Sequence, residues 1–155
     1  DAFLYLAGRV TSVHAQSFRL AHDYGLDDTT SMLLRFKSGA TGYLGTVIAT
    51  AETWRIQVFG SKGGVEVGDV EHLATWQMRV CTVDPQNLHV HHPPQVLTFP
   101  PVSTERAELE HFARAVEAGH PLAIAGSDEV HGVAVFEAIL KSAKTRKTVR
   151  VTRRR

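Results

Sequence analysis

Residues 27–67 read DDTTSMLLRFKSGATGYLGTVIATAETWRIQVFGSKGGVEV, and the period of their apolar positions decides the fold. Thr30, Met32, Leu34 and Phe36 alternate with Ser31, Leu33 and Arg35, the two-residue period of an extended strand with one buried face. Lys37-Ser38-Gly39-Ala40 supplies a turn, because Gly39 takes positive φ at no steric cost. In the next strand Leu44, Thr46, Ile48 and Thr50 share one face, and Tyr43, Gly45, Val47 and Ala49 share the other. Residues 55–59 repeat the alternation with Ile56 and Val58 inward, and Gly60-Ser61-Lys62-Gly63-Gly64 turns the chain into Val65-Glu66-Val67. These strands predict one antiparallel meander around which everything else packs.

The flanking segments extend that picture. Phe3, Leu4 and Leu6 stop at Gly8 like the last turns of a helix, and residues 10–18 read as a strand. Trp76, Met78 and Val80 alternate with Gln77, Arg79 and Cys81 and so extend the sheet; Leu88-His89-Val90-His91 alternates again, and residues 95–99 form a short strand between proline pairs. Ser103 caps a helix with Leu109, Phe112, Ala113 and Val116 on one face, ended by Gly119 and Pro121. Ser127 caps a second helix, which is apolar on more than one side and is therefore expected to be sandwiched. Residues 148–152 close as a charged edge strand. Strands first and helices last predict an α+β fold: an open, mainly antiparallel sheet with helices packed on one face.

Composition narrows the function. At 155 residues, 43% hydrophobic and 21% charged, residues 1–155 are expected to form a single domain. A net charge of +1 gives no global field for nucleic acid, and Arg153-Arg154-Arg155 reads as a solvated tail. Cys81 is alone, which excludes an internal disulfide and fits a reducing, cytoplasmic setting. No apolar run approaches the length of a membrane span, so no membrane partner is expected.

Four segments in order carry a resemblance: residues 1–10 (DAFLYLAGRV), Asp28-Thr29 with residues 34–42 (LRFKSGATG), residues 55–63 (RIQVFGSKG), and Glu108-Leu109-Glu110-His111-Phe112. With Ala138-Ile139-Leu140-Lys141-Ser142, they make the chain resemble the C-terminal domain of the glucose-fructose oxidoreductase, inositol dehydrogenase and MocA (Gfo/Idh/MocA) family over nearly its whole length. The resemblance implies an NAD(P)-dependent oxidoreductase of sugars or cyclic polyols, built from an N-terminal Rossmann domain and this C-terminal sheet domain. It also implies a homodimer through the open sheet face and a small polar substrate at another edge. In the family the catalytic lysine lies in the Rossmann domain, and a D-x-x-x-H pair ends just ahead of a helix like residues 1–6. By that register no catalytic residue is expected in this chain, which is expected to be inert alone.

The residues themselves agree on the cofactor. A dinucleotide site needs a strand, a G-x-G-x-x-G turn and a helix N-terminus, and the closest run here, residues 60–64, sits between two strands. No cofactor is therefore expected in this chain, with NAD or NADP implied for the full-length protein. His89, His91 and His92 are the densest metal-ligand types, yet no Asp, Glu or Cys is nearby in sequence and Pro93-Pro94 follows, so no metal is expected. The resemblance places substrate-facing side chains near the approach to the third strand, where Thr50, Glu52 and Trp54 are the candidates; the same residues also read as a capped strand start with a half-buried Trp. His14, Gln16 and Arg19 point to a cleft or to solvent. Two functions stand: the substrate-shaping and dimerising half of an oxidoreductase, or a free-standing dimeric module that binds a small ligand without redox chemistry.

Overall fold

Met32, Leu34 and Phe36 are buried while Ser31, Leu33 and Arg35 between them are exposed, so the period read from residues 30–36 is the period of the strand. The structure is a computed structural model, and it describes residues 2–70, 75–87, 92–120 and 126–152. Its elements run α1 (Ala2–Ala7), β1 (Val10–Phe18), β2 (Thr29–Phe36), β3 (Thr41–Val47), β4 (Trp54–Gly60), β5 (Gly63–Asp69), β6 (Gln77–Thr82), β7 (Gln95–Thr98), α2 (Thr104–Ala118), α3 (Gly126–Thr145) and β8 (Val149–Arg150). The fold is α+β with open antiparallel sheets. Leu88-His89-Val90-His91, Pro121 and Arg153-Arg154-Arg155 lie outside the described residues.

The meander is divided. Hydrogen bonding gives two four-stranded sheets, β3-β2-β1-β8 and β4-β5-β6-β7, where the sequence predicts one. The strand expected to reach Thr50 stops at Val47, and a bend over Ile48, Ala49 and Thr50 with three coil residues after it precedes Trp54. The chain correspondingly forms two compact units, Asp1–Thr50 with Phe112–Arg155, and Ala51–His111.

The first unit holds the buried core. Val10, Val13 and Ala15 of β1 meet Met32, Leu34 and Phe36 of β2, and Ala138 of α3 packs on them. Small residues on α3 allow the helix to lie close to β1: Ala134 and Ala138 are buried, and Ser142 is fully so. That buried hydroxyl accepts the Ala15 N–H at 2.9 Å and donates to the Lys147 carbonyl at 2.6 Å, so it closes the helix end onto the strand. His131 acts likewise one end away: it is 7% exposed, and its Nε2 accepts the Val10 N–H at 3.1 Å. Gly8, at φ 79°, ends α1 with its N–H on the Leu4 carbonyl, as read from the sequence. Arg146 takes the same left-handed role after α3, at φ 55°, with no glycine to announce it.

One helix expectation needs correction. The face of α3 turned from Ala134 and Ala138 carries Val133, Phe136 and Leu140, all exposed, and Val130 one turn before Ala134 is exposed too, so α3 is covered on one side only, by β1 and β8, among the described residues. Being apolar all round does not by itself supply a second cover. In α2, Ser103 Oγ accepts the Arg106 N–H as a cap should, yet none of the helix's residues is buried and Leu109, Phe112 and Val116 are exposed.

In the second unit one face carries cross-strand apolar rows, Ile56–Val67–Met78–Leu97 and Val58–Val65–Val80. The β4–β5 hairpin depends on glycine at Gly68: its φ is 127°, and a Cβ there would stand 2.0 Å from the Trp54 carbonyl oxygen.

Candidate functional site

The β1-to-β2 loop is fastened by one carboxylate. Asp28 is 1% exposed, and its two oxygens accept N–H groups from Leu20, Ala21 and His22 at 2.9–3.1 Å and the Thr29 hydroxyl at 2.9 Å. These donors, the His22 and Ala21 N–H groups foremost, hold its carboxyl far below the usual carboxylate range against the opposing effect of burial. The Asp28 backbone joins in, donating to Phe18 and accepting the Ile48 N–H at 2.9 Å. The acid therefore ties the loop to the start of the bend that carries Thr50. On that fixed loop His22 and Tyr24 stack at 5.1 Å, beside exposed Leu20 and Leu26.

The predicted substrate residues follow one another along this path. Thr50 ends the bend after β3 and is exposed; Glu52 is exposed in the following coil; Trp54 opens β4, half-buried, with Asp69 as its cross-strand partner. Thr50 belongs to the first unit and the other two to the second. Asp28 stands in the sequence only as part of the Asp28-Thr29 segment of the family resemblance; its role as a loop anchor is not readable there, because an acid next to Asp27 ahead of a strand looks like an ordinary loop residue.

On the first unit's sheet, the face away from α3 is open. It carries Ser12, His14, Gln16 and Phe18 from β1, Leu33 and Arg35 from β2, and Tyr43 and Val47 from β3, with Leu33, Tyr43 and Val47 between 50% and 62% exposed. His14 and Gln16 thus belong to this face.

The remaining chemical candidates resolve simply. Gly60 and Gly63 pair across the β4–β5 turn, with no helix beginning beside it, so the run does not fit a pyrophosphate. Among the described residues no group of three metal-ligand side chains converges; His92 stands 3.6 Å from Asp84, whose carboxylate also accepts the Gln86 and Asn87 N–H groups.

Fold and face together define a class: an open-sheet α+β domain with one sheet side covered by a helix and the other bare. Residues 1–66 match the profile of the GFO/IDH/MocA C-terminal domain. It is 29% identical over 123 residues to the D-xylose 1-dehydrogenase (NADP(+)) 2 of Haloferax volcanii, a match over 79% of this chain and 36% of that protein. Its fold superposes on levoglucosan dehydrogenase in complex with NADH with a TM-score of 0.83 at 15% identity, covering 99% of this chain and 48% of that one. The aldose-aldose oxidoreductase from Caulobacter crescentus complexed with glycerol gives a TM-score of 0.75 at 26% identity, over 96% of this chain and 44% of that one. The chain thus spans less than half the length of each of these relatives. No helix among the described residues is long and apolar enough to cross a membrane.

Proposed function

We propose that this chain is the substrate-shaping and assembling part of a cytoplasmic NAD(P)-dependent oxidoreductase acting on a sugar or polyol. In this reading residues 1–155 act as one C-terminal domain, a Rossmann domain supplies the cofactor and the catalytic residues, and the chain is inert alone. Thr50, Glu52 and Trp54 face the small polar substrate: a hydroxyl and a carboxylate for its hydroxyl groups, and an indole for an apolar ring face. Two copies pair through the open face of the first sheet. The observation that carries the reading is the family match over residues 1–66, because that segment includes α1, the Asp28 anchor and all of β1 to β4.

The test uses the whole enzyme with NAD+ or NADP+ and a panel of aldoses and polyols. Removing one hydrogen bond to a substrate hydroxyl costs about 1 kcal/mol. Glu52→Gln is therefore expected to raise KM roughly fivefold at unchanged melting temperature, and Trp54→Ala to raise KM with a lower melting temperature from loss of the half-buried indole. The 155-residue chain alone should show no saturable thermal shift with NADP+, since a ligand that binds only the native state must stabilise it. Unchanged KM in both variants would remove the site assignment, and a saturable shift of the lone chain would remove the division of labour.

A further inference from the structure

A groove of about 800 Å³ runs along the N-terminal end of β1 in the first unit, and its charged side chains are all basic: Arg9, Arg35, Lys37 and Arg150, with His131 beside them. No acidic residue lines it. The arrangement follows from a β-bulge. The register of β1 on β2 slips between Val10 and Ser12, so Val10 and Val13 both face the core and the two residues between them, Thr11 and Ser12, are left on the outside. Ser12 is then the direct cross-strand partner of Arg35 on one side and of Arg150 on the other. Direct partners share a face, so a hydroxyl stands between two guanidinium-bearing residues whose strands are about 10 Å apart.

Arg35 and Arg150 make no ion pair, and the Ser12 hydroxyl no hydrogen bond, among the described residues. Thr11 Oγ1 donates to the Arg35 carbonyl at 3.0 Å, and the Lys37 N–H to the Arg9 carbonyl at 2.8 Å, so the strand ends that carry the cations are fixed by the backbone. Two planar forks flanking a free hydroxyl match a tetrahedral, doubly charged group better than a singly charged carboxylate. The groove is far larger than a phosphate ion, which leaves room for the rest of an ester.

We propose that the bulge end of this sheet binds the phosphate monoester of a small ring compound, gripped by Arg35 and Arg150 across Ser12, with Arg9 and Lys37 in the same groove. Ser12 and Arg35 lie on the sheet face through which two copies are proposed to pair, so the site is argued for the single chain, and it needs neither the cofactor nor the substrate of the proposed dehydrogenase reading.

Phenyl phosphate titrated into the ¹⁵N-labelled chain at constant ionic strength tests it. Saturable shifts are expected at the Ser12, Arg35 and Arg150 amides. Arg35→Gln should weaken the dissociation constant roughly tenfold or more, as loss of a charge-assisted fork implies, while Arg35→Lys keeps part of the affinity. Arg150→Gln, on the edge strand, should act in the same direction, and dispersed amide spectra of each variant separate lost binding from lost folding. Shifts that never saturate, or a folded Arg35→Gln or Arg150→Gln with unchanged affinity, would overturn the site. So would a DNA duplex that moves these amides when phenyl phosphate does not, since the groove would then be a nucleic-acid surface.

Discussion

Asp28 shows how one side chain sets both the shape and the acid response of a loop. In the folded chain its carboxylate gathers three backbone N–H groups and a hydroxyl, and all four favour the charged form. An asparagine keeps one acceptor oxygen but turns an NH2 toward donors, so Asp28→Asn is expected to lower Tm at pH 7 by roughly 5 °C. The pH dependence has a definite sign. The unfolded chain takes up a proton on this acid near pH ~4, whereas the folded chain refuses it until well below that. The stabilisation is therefore complete above pH ~4 and drains away as pH falls below it, and the gap between wild type and Asp28→Asn should narrow over that window. Thermal unfolding of both proteins from pH 7 to pH 2 measures this; a gap that stays constant would show that the carboxylate charge contributes nothing.

The seam between α3 and β1 explains what was legible in the sequence at the level of whole elements. Period-two alternation identified β1 and β2, and Gly8 and Ser103 marked helix ends, because each of these signals acts within a few residues of chain. The bulge at Thr11, the burial of Ser142 and the contact of His131 with Val10 were not legible, since each depends on a partner far along the chain: Arg35, Ala15 and residue 10 respectively. The proposed substrate candidates rest on family resemblance alone, and the anchoring role of Asp28 was not legible, for the same reason. Nor does an apolar residue reveal whether its neighbour will cover it, which is why α3 reads as sandwiched and is half bare. The seam itself is tight: Ala138 is 4% exposed and touches the core cluster. Enlarging it forces the helix off β1, so Ala138→Leu is expected to cost about 1–3 kcal/mol in urea denaturation with an unchanged m-value. A neutral Ala138→Leu would mean that the helix has slack against the sheet.

At the scale of the molecule, the bare face of β3-β2-β1 is the feature the fold leaves unfinished. Leu33 at 58% exposure, Tyr43 at 62% and Val47 at 50% lie on adjacent strands of one surface, with Leu33 and Tyr43 directly paired. A sheet face of this kind is stabilised by a second layer, and a second copy of the same face satisfies it with two-fold symmetry. If two copies pair there, the contact should bury well above about 1,000 Å² and place Leu33 near its centre, where a buried unpaired charge costs several kcal/mol. Leu33→Glu is solvated in the single chain, so its fold should persist while the dimer dissociates at least a hundredfold more readily. Sedimentation equilibrium of both proteins in phosphate-free buffer, which leaves Arg35 two residues away uncompensated in each, decides the matter. A wild-type chain that remains monomeric at high concentration, or a Leu33→Glu chain that dimerises as well as wild type, would show that the open face serves another partner.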